Sequence, residues 1–201
     1  MGVIRKFEVS HLNTNCYLVT KNNSGILIDA GENPTEIIYY VKDRGIELKA
    51  ILATHGHFDH VLGVPELKKH LGEVIFYLHE NDEPLVKNDP RTSHISVDGY
   101  VKEGEMEFDG IRVKVIETPG HTLGSVTYLI ENNLFTGDTL FNESIGRYDL
   151  GGDKALLKKS LKRLMELDDL LTVYPGHGFL TTLGYEKLHN PFLNGEIDWQ
   201  I

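Results

Sequence analysis

Residues 54–60 read Thr-His-Gly-His-Phe-Asp-His, and no other stretch constrains the chain as tightly. His55, His57, Asp59 and His60 fall within six consecutive positions. Buried together without a cation, these side chains would each need a partner for every ring nitrogen and carboxylate oxygen. Divalent transition metals take imidazole and carboxylate as ligands and supply those partners at once. A fold that gathers this run is therefore read as one built around a metal centre.

The rest of the composition narrows the setting. A chain of 201 residues can bury a full core. Its net charge of −10 offers no basic footprint for nucleic acid and suits an anionic membrane surface poorly, so neither is an expected partner. A single cysteine, Cys16, excludes an intrachain disulfide. Its setting, Asn-Cys-Tyr-Leu-Val, is that of a strand, where a cysteine packs as a small hydrophobe. The N-terminus lacks an apolar core of signal-peptide length, and no stretch approaches the ~20 apolar residues of a membrane span. The expected location is cytoplasmic.

Short β-rich runs recur at 3–9, 15–20, 25–29, 49–53, 74–77, 111–117, 125–129, 134–136 and 171–174, with turn residues at 22–25 and 131–133. Helical periodicity marks 34–44 and 153–167; the second begins at a capping Asp153 and aligns Leu157, Leu161, Leu164 and Met165, and a shorter helix is expected over 61–71, directly after the histidine-rich run. Strands and helices in this order imply a layered α/β domain, sheets inside and helices outside. Residues 79–110 show no clear period, and two readings stand open for them, a binding loop and a passive surface excursion.

Three further turns each follow a strand and each carry one metal-binding side chain beside glycine. They are Thr-Pro-Gly-His-Thr at 118–122 with His121, Thr-Gly-Asp-Thr-Leu-Phe at 136–141 with Asp138, and Tyr-Pro-Gly-His-Gly at 174–178 with His177. Glycine permits the sharp turn, and the strand end fixes the side chain from one side.

Taken together, HGHFDH, TPGHT, TGDTLF, SIGRYDLGGD, YPGHG and NPFL resemble the motifs of the metallo-β-lactamase-fold superfamily, and within it the short prokaryotic, glyoxalase II-like (hydroxyacylglutathione hydrolase-like) hydrolases. The resemblance runs from about residue 15 to residue 193. It implies a four-layer αββα sandwich, a single domain over 1–201, and a binuclear site at one edge between two sheets. Carried over by motif, His55, His57 and His121 would hold one divalent metal, and Asp59, His60 and His177 a second. Asp138 would bridge them, and Asp59 would also orient a metal-held hydroxide. Zinc is the expected metal, with iron or manganese as alternatives. The implied reaction is hydrolysis of a small-molecule thioester such as S-lactoylglutathione.

Arg147, with Tyr148 beside it, matches the loop that helps hold glutathione in the family. Its guanidinium suits a carboxylate, and an ion pair with nearby Asp149 is the other reading. The helical domain that typical glyoxalase II enzymes carry after the metal domain is not expected, since only a short segment follows His177. His11, His70, His79, His94 and His189 are not expected to be ligands, although His11 is placed near the site. The main rival is a persulfide dioxygenase with one iron; a β-lactamase, a nuclease, a diiron electron carrier and a non-catalytic module stand behind it. The electron carrier would need a carboxylate where His57 stands, and a module would be expected to lack a ligand.

Overall fold

The computed structural model describes residues 2–197. In chain order the elements are β1 (Val3–Val9), β2 (Thr14–Lys21), β3 (Ser24–Ile28), α1 (Thr35–Asp43), β4 (Glu47–Leu52), α2 (Phe58–Val61), α3 (Val64–Leu71) and β5 (Ile75–His79). A 3-10 turn (Glu80–Asp82) leads into α4 (Glu83–Asn88), β6 (Gly99–Val101), β7 (Gly104–Phe108), β8 (Ile111–Glu117), β9 (Val126–Ile130) and β10 (Asn133–Gly137). The chain continues with β11 (Leu140–Phe141), β12 (Ser144–Ile145), α5 (Lys154–Met165), β13 (Thr172–Pro175), β14 (Thr181–Thr182) and α6 (Leu183–His189).

Two six-stranded sheets result, ordered β1-β2-β3-β4-β5-β6 and β14-β13-β10-β9-β8-β7, with β11 and β12 as a separate small ribbon. Each sheet comes from its own stretch of chain. Each begins as an antiparallel meander and then takes a parallel strand through a helical crossover, β3-α1-β4 in the first and β10-α5-β13 in the second. The two stretches thus repeat one topology, without any shared sequence pattern.

Three apolar layers separate four structural layers. Between α1, α3 and the outer face of the first sheet lie Leu18, Leu27, Ile37, Val41, Ile51 and Leu67. Between the sheets lie Tyr17, Val19, Ile26, Ile28, Val115, Tyr128 and Phe135. Outside the second sheet, Ile116, Leu134 and Val173 meet Leu157, Leu161 and Leu164 of α5 and Leu183 of α6. The period-2 geometry of a strand explains how one segment serves two layers: in β2, Cys16 and Leu18 face the helices while Tyr17 and Val19 face the other sheet. The fold is the expected αββα sandwich. Among the described residues, no helix is long and apolar enough to cross a membrane.

Two local expectations change. The helix expected over 61–71 is broken at Leu62-Gly63, where the Gly63 amide donates to the Ala30 carbonyl at 2.9 Å. A side chain at Gly63 would meet the Gly31 carbonyl at 2.2 Å, so the chains approach this closely only at glycine. Residues 79–110 are not structureless. They hold the 3-10 turn, α4 and the edge strands β6 and β7, and β7 escaped notice because Glu105 and Glu107 occupy its outward positions. The final residues, Asp198, Trp199, Gln200 and Ile201, lie outside the described residues.

Candidate metal centre

All seven candidate ligands come together at one edge of the sandwich, on loops that leave the C-terminal ends of strands. β4 delivers the 54–60 loop, β8 delivers His121, β10 delivers Asp138 and β13 delivers His177. Two triads that share no residue form, His55–His57–His121 and Asp59–His60–His177, and a third group, His55–His60–Asp138, overlaps both. In the first, His121 Nε2 lies 3.2 Å from His55 Nε2 and 3.0 Å from His57 Nδ1. In the second, His177 Nε2 lies 3.3 Å from His60 Nε2 and 3.2 Å from Asp59 Oδ2. Asp138 reaches both: Oδ1 is 3.4 Å from His60 Nε2, and Oδ2 is 3.6 Å from both His121 Nε2 and His177 Nε2. Gly176 makes this approach possible, because a Cβ there would stand 2.1 Å from Asp138 Oδ1.

Hydrogen bonds on the far side of each ring decide which nitrogen faces inward. His57 Nε2 donates to the Leu150 carbonyl at 3.0 Å, His121 Nδ1 to the Arg147 carbonyl at 2.6 Å, and His177 Nδ1 to the Leu12 carbonyl at 3.1 Å. His60 Nδ1 donates to Asp29 Oδ2 at 2.9 Å. The Thr54 hydroxyl donates to the same Asp29 carboxylate, which leaves its oxygen to accept from His55 Nδ1 at 3.1 Å. Each outer nitrogen therefore carries a proton, and each inner nitrogen is turned toward the cluster, where it can offer a lone pair to a cation. Lone pairs 3.0–3.3 Å apart repel unless a proton or a cation lies among them. Asp138 Oδ1 is buried with no hydrogen-bond partner in the protein, which carries the same demand. The residues fit divalent cations.

The two triads differ electrically. Burial, reinforced by neighbouring imidazoles, holds His55 well below its ordinary pKa, and burial also lowers His121, so these rings are neutral donors. Burial opposes the charge on His60 as well, but the carboxylates of Asp29, Asp138 and Asp59 outweigh it and raise that ring to about 10. His177 is raised in the same sense by Asp59 and Asp138 against its own burial. Burial works against an ionised Asp59, yet His177 and His60 hold it below the usual carboxylate range. In the absence of metal, the second triad thus keeps protons where a cation would sit.

Sequence reasoning missed the groups that aim the ligands. Asp29, just past β3, accepts from the Thr54 amide at 2.7 Å as well as from Thr54 Oγ1 and His60. Asp82, wholly buried, accepts from the amides of Gly56 and Gly124 and from Thr122 Oγ1 at 2.8, 2.7 and 2.6 Å. It thereby ties the loop of His55 and His57 to the loop of His121. The only sequence signal was an acidic residue at a strand end or ahead of a helix. Among the other histidines, His11 is exposed, 3.7 Å from Glu32, and outside the cluster, though its neighbour Leu12 supports His177. Cys16 is fully buried, as expected, and burial pushes its thiol up to about 12.

An open cleft of about 830 Å³ leads to the site. Leu12, Phe58, Pro84, Leu85 and Leu150 make much of its wall, and the 84–91 segment answers the open question about 79–110 by contributing directly to it. Arg147 lines the cleft too, with Nε and Nη2 each 2.7 Å from the Asp149 carboxylate, so the ion-pair reading describes its present contact. Tyr148 is exposed and is not part of the cleft wall.

A chain with this sandwich and this ligand cluster belongs to the metallo-beta-lactamase superfamily, whose family model matches residues 9–177. It is 33% identical to the hydroxyacylglutathione hydrolase GloC of Haemophilus influenzae, over 96% of this chain and 99% of that protein. Among solved structures it is similar to the BLEG-1 B3 metallo-beta-lactamase, with a TM-score of 0.90 and 32% identity over 96% of this chain and 100% of the other. It is also similar to TTHA1623 in a di-iron-bound form, with a TM-score of 0.85 and 37% identity over 94% and 100%.

Proposed function

We propose that this chain is a metal-dependent hydrolase of S-acyl thiols, of which S-lactoylglutathione is the first to test. The observation that carries the reading is the inward-facing nitrogens of five imidazoles, set with two carboxylates at the floor of an open cleft. His55, His57 and His121 would hold one divalent ion, Asp59, His60 and His177 a second, with Asp138 between them. Ions bound there supply Lewis acidity toward the thioester carbonyl and bring the pKa of a coordinated water down to about 7.

The protein's own groups do the rest. Asp59, kept ionised by His177 and His60 and oriented by the Thr14 hydroxyl at 3.2 Å, would accept a hydrogen bond from the attacking water and aim it. The carbonyls of Leu12, Arg147 and Leu150 hold three imidazole rings in place, so the ligand set does not reorganise during turnover. The apolar wall offers a seat for the acyl and thiol chains. A thiolate leaves with little acid assistance, which suits a cleft whose polar floor is given to ligands.

The likeness to a hydroxyacylglutathione hydrolase of nearly equal length supports the thioester, and the di-iron relative makes iron the first alternative to zinc. The likeness to a B3 metallo-beta-lactamase makes a β-lactam the second substrate to assay. The test is metal content per chain beside three activities: S-lactoylglutathione hydrolysis, β-lactam hydrolysis, and oxygen consumption with glutathione persulfide. Two ions with thioester cleavage support the proposal; one iron with oxygen uptake replaces it with a persulfide dioxygenase.

A further inference from the structure

The cleft wall carries a cation for which the metal chemistry has no use. Arg91 follows α4, and its guanidinium carbon lies 3.4 Å from the centroid of the Phe58 ring. Phe58 stands between His57 and Asp59 in the ligand loop, and all four residues line the cleft. The stack therefore sets the guanidinium beside the metal centre rather than on a remote surface. Asp89 fixes its rotation: Nε is 2.9 Å from Oδ1, and Nη2 is 2.5 Å from Oδ2. Asp89 is itself held, because Oδ1 accepts from the Arg91 amide at 2.9 Å and its carbonyl accepts from Thr92 and Ser93. Buried Thr92 anchors the turn to α4 through a 2.8 Å bond to the Val86 carbonyl.

A face and one edge of the guanidinium are thus committed, consuming the Nε hydrogen and one hydrogen of Nη2. Among the described residues, Nη1 donates no hydrogen bond, so the outer edge of the fork is unspent. The side chain is 54% exposed, open to a ligand entering from solvent. An isolated surface ion pair contributes little to stability. Here the pair does something else: it freezes a flexible side chain in one orientation, with two parallel N–H groups left facing outward. That is the geometry a carboxylate takes from arginine, with the entropy of ordering already spent. On a chain of net charge −10, an anionic substrate also needs a local cation along its approach.

We propose that Arg91 is a carboxylate-binding subsite of the cleft, reading a carboxylate group borne by the substrate away from the reacting carbonyl, with Phe58 as its platform. The proposal rests on the reading that the cleft is the substrate site. It is tested by calorimetry on the metal-loaded protein, with S-hexylglutathione and its diamide, in which both carboxylates are masked. Arg91→Met keeps an apolar cover on Phe58 and removes the fork; Arg91→Lys keeps the charge and removes the fork. The expected result is a Kd about tenfold higher for S-hexylglutathione in Arg91→Met, a smaller rise in Arg91→Lys, and an unchanged Kd for the diamide in both. Metal content and melting temperature equal to those of the parent establish that the variants are folded. Equal losses for the two ligands, no loss for either, or a parent protein that does not favour the diacid would overturn the subsite. Because binding is read without turnover, absence of thioesterase activity would sink the proposed reaction while leaving this result standing.

Discussion

Replacing Asp82 by Asn tests whether the ligand loops are held by a buried carboxylate they never touch through metal. Asp82 has no solvent exposure, and its two oxygens receive three hydrogen bonds. Oδ2 takes the Gly56 amide and the Thr122 hydroxyl, and Oδ1 takes the Gly124 amide. An Asn amide can place its oxygen where Oδ2 was and keep two of the three. Its NH2 then faces the Gly124 N–H, a buried donor left without an acceptor, at a cost of about 1–3 kcal/mol. The two surviving bonds fall from charge-assisted to neutral strength, so the total comes to about 3 kcal/mol. In a chain of this length that lowers the melting temperature by roughly 6–12 °C. The loss is also directional. Gly56 lies between His55 and His57, and Thr122 adjoins His121, so the first triad should loosen before Asp59, His60 and His177 do. Metal content after dialysis against a weak chelator should fall from two ions per chain toward one, and the melt should be followed on the same samples. An unchanged melting temperature, or simultaneous loss of both ions, would refute the reasoning.

Asp138→Ala should weaken both ions together, and a variant that keeps two per chain after the same dialysis would show that Asp138 does not bridge. In the metal-free protein, His60 has a folded pKa raised to about 10 against an ordinary 6.5, so its contribution to stability is full below about pH 6.5 and is lost as pH rises through about 10. His55 and His121, lowered by burial, act with the opposite sign and cost stability as pH falls through 6.5. The metal-free melting temperature should therefore peak near pH 6.5 and fall toward pH 10, and Asp29→Asn should flatten that alkaline fall; an unchanged alkaline limb would remove Asp29 as the cause. Arg147→Ala should raise KM for an anionic thioester more than for a neutral one, and equal effects on the two substrates would confine Arg147 to its pair with Asp149.

What the sequence made legible was the cluster of candidate ligands, because each is a side chain able to bind metal in a short turn whose spacing survives in one dimension. The helices of the outer layers were legible for a similar reason: Leu157, Leu161 and Leu164 recur at the helical period and Asp153 caps them, its side chain accepting from the Leu156 amide at 2.8 Å. The groups that aim the ligands were not. Asp29 and Asp82 act across sequence separations of 25 residues or more, on partners that only packing brings near. No period or motif marks a residue whose role is to accept three hydrogen bonds from other loops. The short elements failed for a different reason. α2, β11, β12 and β14 are each four residues or fewer, too brief to display a period, and tertiary contacts such as the Gly63–Ala30 bond fix where they begin and end.

The distribution of ligands between the halves explains why the site lies at this edge. The stretch that builds the first sheet supplies His55, His57, Asp59 and His60; the stretch that builds the second supplies His121, Asp138 and His177. Each triad draws on both, so neither exists until the sheets have packed. The sheets are apolar toward one another over most of their contact, but at the metal end they exchange hydrogen bonds. The Asn15 amide donates to the Gly176 carbonyl at 2.8 Å, the Tyr17 hydroxyl to the Pro175 carbonyl at 2.6 Å, the Val126 amide to the Thr54 carbonyl at 2.8 Å, and the Tyr128 hydroxyl to the Ala53 carbonyl at 2.7 Å. Each of these bonds falls within a few residues of a ligand. Apolar packing resists separation of the sheets but fixes their relative slide only loosely, whereas directional bonds set it to a fraction of an ångström. A centre whose nitrogens must converge to about 3 Å from two separate sheets needs that second kind of restraint at its own edge.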